Sequence, residues 1–340
     1  MINRDNSFDL IRHLAALAVL ISHHYALSGL HEPSIEGFNS LGGIAVLAFF
    51  SVSGLLITQS FVNSSNLFTY MSKRAARIFP ALIACAFAMV YIGGSLFSQE
   101  EKPDYTLSLN ALTDFFKIST FGRADIESIT SGFIFKESFN GSLWTLKIEF
   151  AFYVALALSL TILRRVAMPL LMTLALCATA YVSSHSVHPL APKLLVYSAV
   201  GIAFFVGSTL HFYQHAFAST RAKLLIAGFS ALLILVTLNT PLSVIFANIG
   251  FSLLVLSIGT LYKDRIINSR FDISYGMYLY AFPVQQVLIN TTSLGFYTSM
   301  SASIAVVIVL ATLSWFLVEK PALDFVHMKT RTKRSIATVA

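Results

Sequence analysis

Residues 8–27 read FDLIRHLAALAVLISHHYAL, an apolar stretch long enough to cross a membrane as one helix. It carries Arg12 and His23, which lie eleven positions apart. Eleven steps of 100° return to within about 20° of the starting direction, so both side chains share one helix face, about 16 Å apart along the axis. His24 lies about 120° from Arg12. Because ionisable groups at membrane depth are costly, this aligned pair predicts a functional site.

The composition indicates a polytopic membrane protein. Of the 340 residues, 56% are hydrophobic and 11% are charged, whereas soluble domains average about 25% charged residues. The first apolar run has charged residues at its start and no small-residue cleavage site, so it predicts a retained helix and not a signal peptide. Cys85 and Cys177 lie in apolar runs and are interpreted as buried hydrophobic residues, without a disulfide or a metal site.

The apolar runs predict an all-α bundle of about ten transmembrane helices. They lie near residues 8–29, 41–62, 79–98, 143–163, 166–184, 193–212, 222–240, 242–262, 272–291 and 299–318. The division of 222–262, at Asn239-Thr-Pro241, depends on the turn residues alone.

The basic residues predict the orientation of this bundle. With the N-terminus inside, sixteen of the 23 Lys and Arg fall on the cytoplasmic side and six on the other. This bias predicts that both termini are cytoplasmic. The net charge of +7 is therefore a topology signal and argues against nucleic-acid binding. A basic tail, 326–340, would face anionic membrane lipids and follows a single transmembrane domain, 1–325.

One segment between the predicted helices is long and polar. Residues 99–142 would lie on the outer side, and within them 109–117 has an amphipathic pattern. Long loops are often lids or binding loops, so we predict a short interfacial helix and a lid over an outward-facing site. A passive connector remains an equal alternative.

Further polar residues are candidates for the site. Arg74 and Arg77 lie one helical turn apart before the third span, where they could anchor the helix at the cytoplasmic face or bind phosphate. Glu149 lies about two turns into the fourth span, after Trp144, and a carboxylate at that depth should be paired or functional. Ser53, in Ser51-Val-Ser-Gly54, could serve close helix packing or donate a hydrogen bond to a reacting carbonyl.

Taken in order, these patterns resemble one family. The chain contains Arg-x10-His, Phe-Phe-Ser-Val-Ser-Gly-Leu-Leu-Ile, Arg-x-x-Arg, Ser-Leu-Trp-x-Leu-x-x-Glu-Phe-x-Phe-Tyr, Ile-Ser-Tyr-Gly-Met-Tyr-Leu and Glu319-Lys320-Pro321. Over about residues 5–325 this series resembles the acyltransferase family 3 membrane proteins, bacterial enzymes that O-acylate extracytoplasmic glycans. The resemblance implies an inner-membrane enzyme. Its implied donor is acyl-CoA, usually acetyl-CoA, taken from the cytoplasm.

The resemblance also suggests residue roles. Arg12 and His23 match the family's essential pair, and Arg74 and Arg77 match its second arginine motif. One departure concerns Tyr-Leu-Trp-His-x-Pro of related sequences, which here reads Tyr278-Leu-Tyr-Ala-Phe-Pro283. Ala281 cannot replace an imidazole, so we expect a subgroup difference in substrate recognition in which Tyr280 contributes.

The residues and the resemblance predict one mechanism. Arg74, Arg77 and Arg12 would bind the CoA phosphates while the pantetheine arm reaches towards His23, the general base for the sugar hydroxyl. Trp144, Ser53 and Tyr280 would contact substrate, and Glu149 would orient His23 or the sugar. An acyl-histidine intermediate, a donor such as succinyl-CoA and several acceptors (lipopolysaccharide, capsule, exopolysaccharide, a lipid-linked sugar) remain open. The competing class is a transporter or glycan exporter, although no inverted repeat is visible.

Overall fold

The computed structural model describes residues 6–98, 105–163, 165–217, 219–267 and 270–337, and its regular structure is almost entirely helical. In chain order the helices are α1 (Phe8–Leu27), α2 (Leu41–Val62), α3 (Leu67–Phe87), α4 (Gly94–Phe97), α5 (Leu109–Ser119), α6 (Glu127–Thr130), α7 (Trp144–Ile162), α8 (Ala167–Ser184), α9 (Ala191–Phe212), α10 (Thr220–Thr237), α11 (Ser243–Leu261), α12 (Ser274–Thr291), α13 (Phe296–Ser314) and α14 (Lys320–Ala337). The shorter elements are the π-helical turns Ala88–Gly93 and Trp315–Glu319, the 3-10 turns Gly141–Leu143 and Gln214–Phe217, and the antiparallel strands β1 (Ser34–Ile35) and β2 (Asn39–Ser40). The predicted all-α class is confirmed.

Nine helices within the described residues are long and apolar enough to cross a membrane. They are Phe8–Leu27, Leu41–Val62, Leu67–Phe97, Gly141–Ile162, Ala167–Ser184, Ala191–Phe212, Thr220–Thr237, Ser243–Leu261 and Phe296–Val326. The remaining predicted span, 272–291, is the helix α12, which is more polar because it contains Gln285 and Gln286. The chain is therefore a polytopic helical membrane protein.

Two predicted boundaries were wrong. The third apolar helix begins at Leu67 and not near residue 79, because the basic residues before Ile78 are helical and not part of a loop. The last apolar helix does not end near residue 318 but continues through the turn Trp315–Glu319 into α14. In both places the helix continues past its apolar part into a segment that carries charged residues.

Side-chain caps and turn residues define several helix ends. The side chains of Ser40, Asn66 and Ser108 each accept a hydrogen bond from a backbone N–H in the first turn of the helix that follows, which satisfies donors left free at a helix start. The predicted division of 222–262 is confirmed: α10 ends at Thr237, and Asn239 adopts a left-handed conformation with φ 60°.

The described chain forms two compact units. The first takes its described residues from Met1–Val19, Pro33–Ser64 and Ile148–Phe271. Within it α2 packs closely on α9, α9 on α8, and α10 on α11. An aromatic group of Phe152, Phe204 and Phe205 fills the space beside α2, with Phe152 5.9 Å from Phe50 between ring centroids.

The second unit takes its described residues from Leu20–Glu32, Ser65–Lys147 and Asp272–Ala340. Within it α12 packs along α13, while α3 contacts α5 and α14. The amphipathic pattern at 109–117 corresponds to α5, so that predicted helix is confirmed. Residues 99–104 of the predicted loop, Arg4, Arg164 and residues 338–340 of the predicted tail lie outside the described residues.

Candidate functional site

His23 occupies the last part of α1, within the second unit. Its Nδ1 is buried and has no hydrogen-bond partner among the described residues. The ring packs against Phe282 in a T-shaped arrangement, with centroids 5.2 Å apart. The preceding residue, Ser22, donates a hydrogen bond to the Glu32 carboxylate. An imidazole nitrogen without a partner can accept a proton, which suits a general base.

His24, the next residue, has the opposite character. It is fully buried, and its Nε2 lies 3.1 Å from Ser299 Oγ and 3.2 Å from the Phe296 carbonyl oxygen. Its Nδ1 lies 3.2 Å from Gln285 Nε2, which also donates to the Leu20 carbonyl. His24 therefore fastens the end of α1 to α12 and α13, as expected for a packing residue.

In the first unit, two predicted site residues meet. Ser53 on α2 donates a hydrogen bond of 2.8 Å to Glu149 Oε1 on α7, and Tyr153 donates one of 2.5 Å to the same oxygen. The intramembrane carboxylate is thus held by two hydroxyls, as a charge at that depth requires. Arg12, on α1 in the same unit, is half-buried.

Arg77, in the second unit, is enclosed by acidic and aromatic groups. Its Nη2 lies 2.5 Å from Asp272 Oδ2, and its Nη1 lies 3.6 Å from Glu319 Oε2. The guanidinium also lies over the rings of Tyr275, at 5.5 Å, and Trp315, at 6.0 Å. One guanidinium with two carboxylates carries a formal charge of −1, which disfavours an approaching phosphate. Arg74, one turn earlier on α3, is half-buried.

The remaining predicted residues occupy two places in the second unit. Tyr280, on α12, is buried, and at the end of α13 the Ser314 hydroxyl donates to Glu319 Oε1 at 3.1 Å. Trp144 begins α7 and is 41% exposed. Among the described residues, no group of three His, Cys, Asp or Glu side chains could hold a metal ion.

Three neighbours of the predicted residues were not singled out from the sequence. Asp272 and Glu319 flank Arg77, and Phe282 packs on His23. A signal existed only for Glu319, which belongs to the Glu-Lys-Pro pattern and follows an apolar helix where a carboxylate needs a partner. For Asp272 and Phe282 the sequence carries no such signal, because each meets its partner only through a tertiary contact.

Comparison with known proteins gives a consistent result. A family model for the acyltransferase domain of the acyltransferase 3 type matches residues 5–319. An O-acetyl transferase of Shigella phage Sf6 is 37% identical over 326 residues, which cover 94% of this chain and 96% of that protein. Nodulation protein 10 of Rhizobium leguminosarum bv. viciae is 29% identical over 363 residues, with 96% and 94% coverage. No solved structure matches the chain.

Proposed function

The chain belongs to the acyltransferase 3 family and is an O-acyltransferase with several membrane-spanning helices, and from this we propose its reaction. An acetyl group moves from cytoplasmic acetyl-CoA to a sugar hydroxyl of a glycan on the outer side of the bacterial inner membrane. The similarity to a phage O-acetyl transferase over nearly the whole of both chains supports the acetyl group. The glycan itself remains unspecified.

The observation that carries the proposal is the environment of His23. A buried Nδ1 without a hydrogen-bond partner among the described residues leaves the imidazole able to accept a proton. In the proposed step, His23 takes the hydroxyl proton while the sugar oxygen attacks the thioester carbonyl. The carbon–sulfur bond breaks, and the imidazolium returns the proton to the CoA sulfur. General-base catalysis of this kind contributes about 10²–10⁴-fold.

Donor binding is assigned in this proposal to arginine. Arg74 and Arg12 would bind the CoA phosphates through their guanidinium forks, which suit phosphate oxygens. Arg77 is proposed as a third phosphate contact, although its neighbours Asp272 and Glu319 make that role less favourable than for Arg74. The unfolding temperature and the KM for acetyl-CoA of Arg77→Gln separate this role from a structural one.

Acceptor binding is assigned to the remaining polar residues. Glu149, held by Ser53 and Tyr153, would accept a hydrogen bond from a sugar hydroxyl or orient the base. The exposed Trp144 ring offers an apolar face of the kind that packs against a sugar. Tyr280 would supply a hydroxyl near the position where relatives often carry His.

Thiol release from acetyl-CoA tests the proposal. Wild-type protein in nanodiscs is expected to hydrolyse acetyl-CoA slowly without an acceptor, and His23→Ala and Arg12→Ala should lower the rate at least about 100-fold. His185→Ala is the matched control, because the His185 side chain is exposed and, among the described residues, bonds only to Tyr181 and Ser184. Near-normal hydrolysis by His23→Ala would refute the general base. No hydrolysis together with no thermal stabilisation by CoA would refute the donor.

A further inference from the structure

Phe282 occupies the space directly beside the proposed base. Its ring meets the His23 imidazole at an interplanar angle of 71° with centroids 5.2 Å apart, and only 5% of the residue is exposed. Edge-to-face pairs at this distance are favourable. The side of the imidazole that Phe282 contacts is therefore closed to other groups.

Phe282 cannot withdraw easily from this position. Behind it lies Phe135, at 5.7 Å between ring centroids and 71° between the ring planes. Gly141 lies so close that a Cβ built there would be 2.8 Å from Phe282 Cζ. Three groups thus hold the ring, and since protein interiors are close-packed, it forms a fixed wall.

The segment that backs Phe282 is itself fastened to α12. Gln286 Nε2 donates to the carbonyl oxygens of Phe135, at 2.9 Å, and Ser138, at 3.0 Å. Asn290 Oδ1 accepts a hydrogen bond of 2.8 Å from Ile134 N. Phe282, Gln286 and Asn290 are four positions apart in succession and therefore share one face of α12. The face of α12 that carries Phe282 thus also holds the segment that packs behind it.

We infer that Phe282 determines the size of the transferred acyl group. This inference rests on the proposed function, since it takes His23 as the base beside which the thioester carbonyl must lie. In this inference a two-carbon acyl group lies next to the imidazole, and each further methylene extends towards Phe282. Rejecting one methylene in a closed apolar site is worth about 10–200-fold.

Acyl-chain selectivity tests the inference. Thiol release by wild-type protein in nanodiscs would be measured with acetyl-, propionyl- and butyryl-CoA. Wild type should prefer acetyl-CoA over butyryl-CoA, and Phe282→Ala should raise the butyryl-to-acetyl ratio of kcat/KM by about tenfold or more. Phe282→Leu, which keeps an apolar side chain, should give an intermediate ratio and serves if the alanine variant does not fold.

A matched aromatic truncation controls for general loosening. Phe296 packs on the rings of His24 and Tyr25, at 5.0 and 4.8 Å, in the same unit, so Phe296→Ala removes an equal ring beside the neighbouring histidine and should leave the ratio unchanged. An unchanged ratio in both Phe282 variants, or equal use of acetyl- and butyryl-CoA by wild type, would overturn the inference alone. Absence of thiol release from every acyl-CoA by wild type, together with no thermal stabilisation by CoA, would overturn the proposed function, and the inference with it.

Discussion

Glu149 is a carboxylate inside a predicted span, and its surroundings define what it can do. Ser53 and Tyr153 both donate to Oε1. Hydrogen bonds to a charged acceptor are stronger than neutral ones. Carboxylate oxygens accept hydrogen bonds, so Glu149 is suited to orienting a sugar hydroxyl.

Two substitutions test this role. Glu149→Gln keeps the shape but removes the charge, and we expect acetyl transfer to fall at least about tenfold. Ser53→Ala removes one hydrogen bond worth about 1.5–3 kcal/mol and should cause a smaller loss. Ser301→Ala is the control, because the Ser301 hydroxyl is exposed and, within the described part of the chain, bonds only to the Tyr297 carbonyl of its own helix. Wild-type turnover by Glu149→Gln would show that the charge is not needed.

Arg77 has two candidate roles, structural and phosphate-binding, and they predict different effects of one substitution. Glu319 is only 1% exposed, and a buried carboxylate that loses its cationic partner costs about 3–5 kcal/mol. A structural role therefore predicts lower stability, whereas a phosphate-binding role predicts a higher KM for acetyl-CoA.

We expect Arg77→Gln to lower the thermal unfolding temperature in detergent markedly. Arg123→Gln is the control: Arg123 pairs with Asp125 at 3.1 Å but is 75% exposed, and such pairs contribute at most about 1 kcal/mol. The KM for acetyl-CoA, measured below both unfolding temperatures, separates the two roles. An unfolding temperature equal to wild type would remove the structural role.

At the scale of the element, α2 and α9 approach so closely that their backbones touch at two glycines. A Cβ at Gly54 would lie 1.8 Å from the Phe204 carbonyl oxygen, and one at Gly207 would lie 2.1 Å from the Ser51 carbonyl oxygen. Small residues permit such contact between membrane helices. Because Gly54 follows Ser53, this packing also fixes the position of the Ser53 hydroxyl that donates to Glu149.

Gly54→Ala and Gly207→Ala should therefore separate the two helices. We expect each variant to unfold at a lower temperature in detergent and to lose transfer activity, since Ser53 moves with α2. Gly228→Ala on α10 is the matched control, because among the described residues no atom beyond the adjacent helix backbone lies within 4 Å of a Cβ at that position, and alanine there should be neutral or slightly stabilising. Equal unfolding temperatures for all three variants would contradict the packing argument.

The elements also show how far sequence patterns reach. Apolar length and turn residues sufficed for α1, α2 and the division after Thr237, since these features depend on local sequence. They failed at the start of α3, because a helix that carries Lys73, Arg74 and Arg77 is indistinguishable from a basic loop by hydropathy. The contact of Ser53 with Glu149 and the network around Arg77 join residues far apart in sequence, and no local pattern encodes such pairings.

At the scale of the whole molecule, the number of crossings decides whether both termini share one side. Nine described helices qualify by hydropathy, and α12 would be the tenth. Its eighteen residues rise about 27 Å, close to the thickness of the hydrocarbon layer. Gln285 and Gln286 are fully buried, and each donates hydrogen bonds to carbonyl oxygens, so these polar groups need not meet lipid.

Contacts within the second unit show that α12 and α13 are antiparallel and that their ends lie at matching levels. Asp272, before α12, binds Arg77, and so does Glu319, after α13. At the other end, Asn290 near the end of α12 binds Ile134, while the Phe296 carbonyl at the start of α13 lies against His24. Because α13 is long and apolar enough to cross, α12 should cross beside it.

Contacts within the first unit agree with the same alternation. Gly37, in the segment after α1, lies against Asn239, in the turn after α10. Asp264 N, after α11, donates to the Asn6 carbonyl oxygen before α1. In the ten-helix assignment Gly37 and Asn239 both belong to outer segments, and Asn6 and Asp264 both belong to cytoplasmic segments. Each contact therefore joins segments that the assignment puts on the same side.

Cysteine labelling tests the crossing of α12 and the predicted orientation together. In a Cys85→Ala, Cys177→Ala background, Lys263→Cys precedes α12 and Ser293→Cys follows it, both at exposed positions. With ten crossings and a cytoplasmic N-terminus, an impermeant maleimide should label Ser293→Cys in intact spheroplasts, and Lys263→Cys only after lysis. His188→Cys and Ser219→Cys, at exposed positions on either side of α9, serve as outer and inner references. Labelling of both test positions from one side would mean that α12 does not cross and that the termini face opposite sides. Labelling of Lys263→Cys in intact spheroplasts and of Ser293→Cys only after lysis would keep ten crossings and invert the orientation inferred from the basic residues.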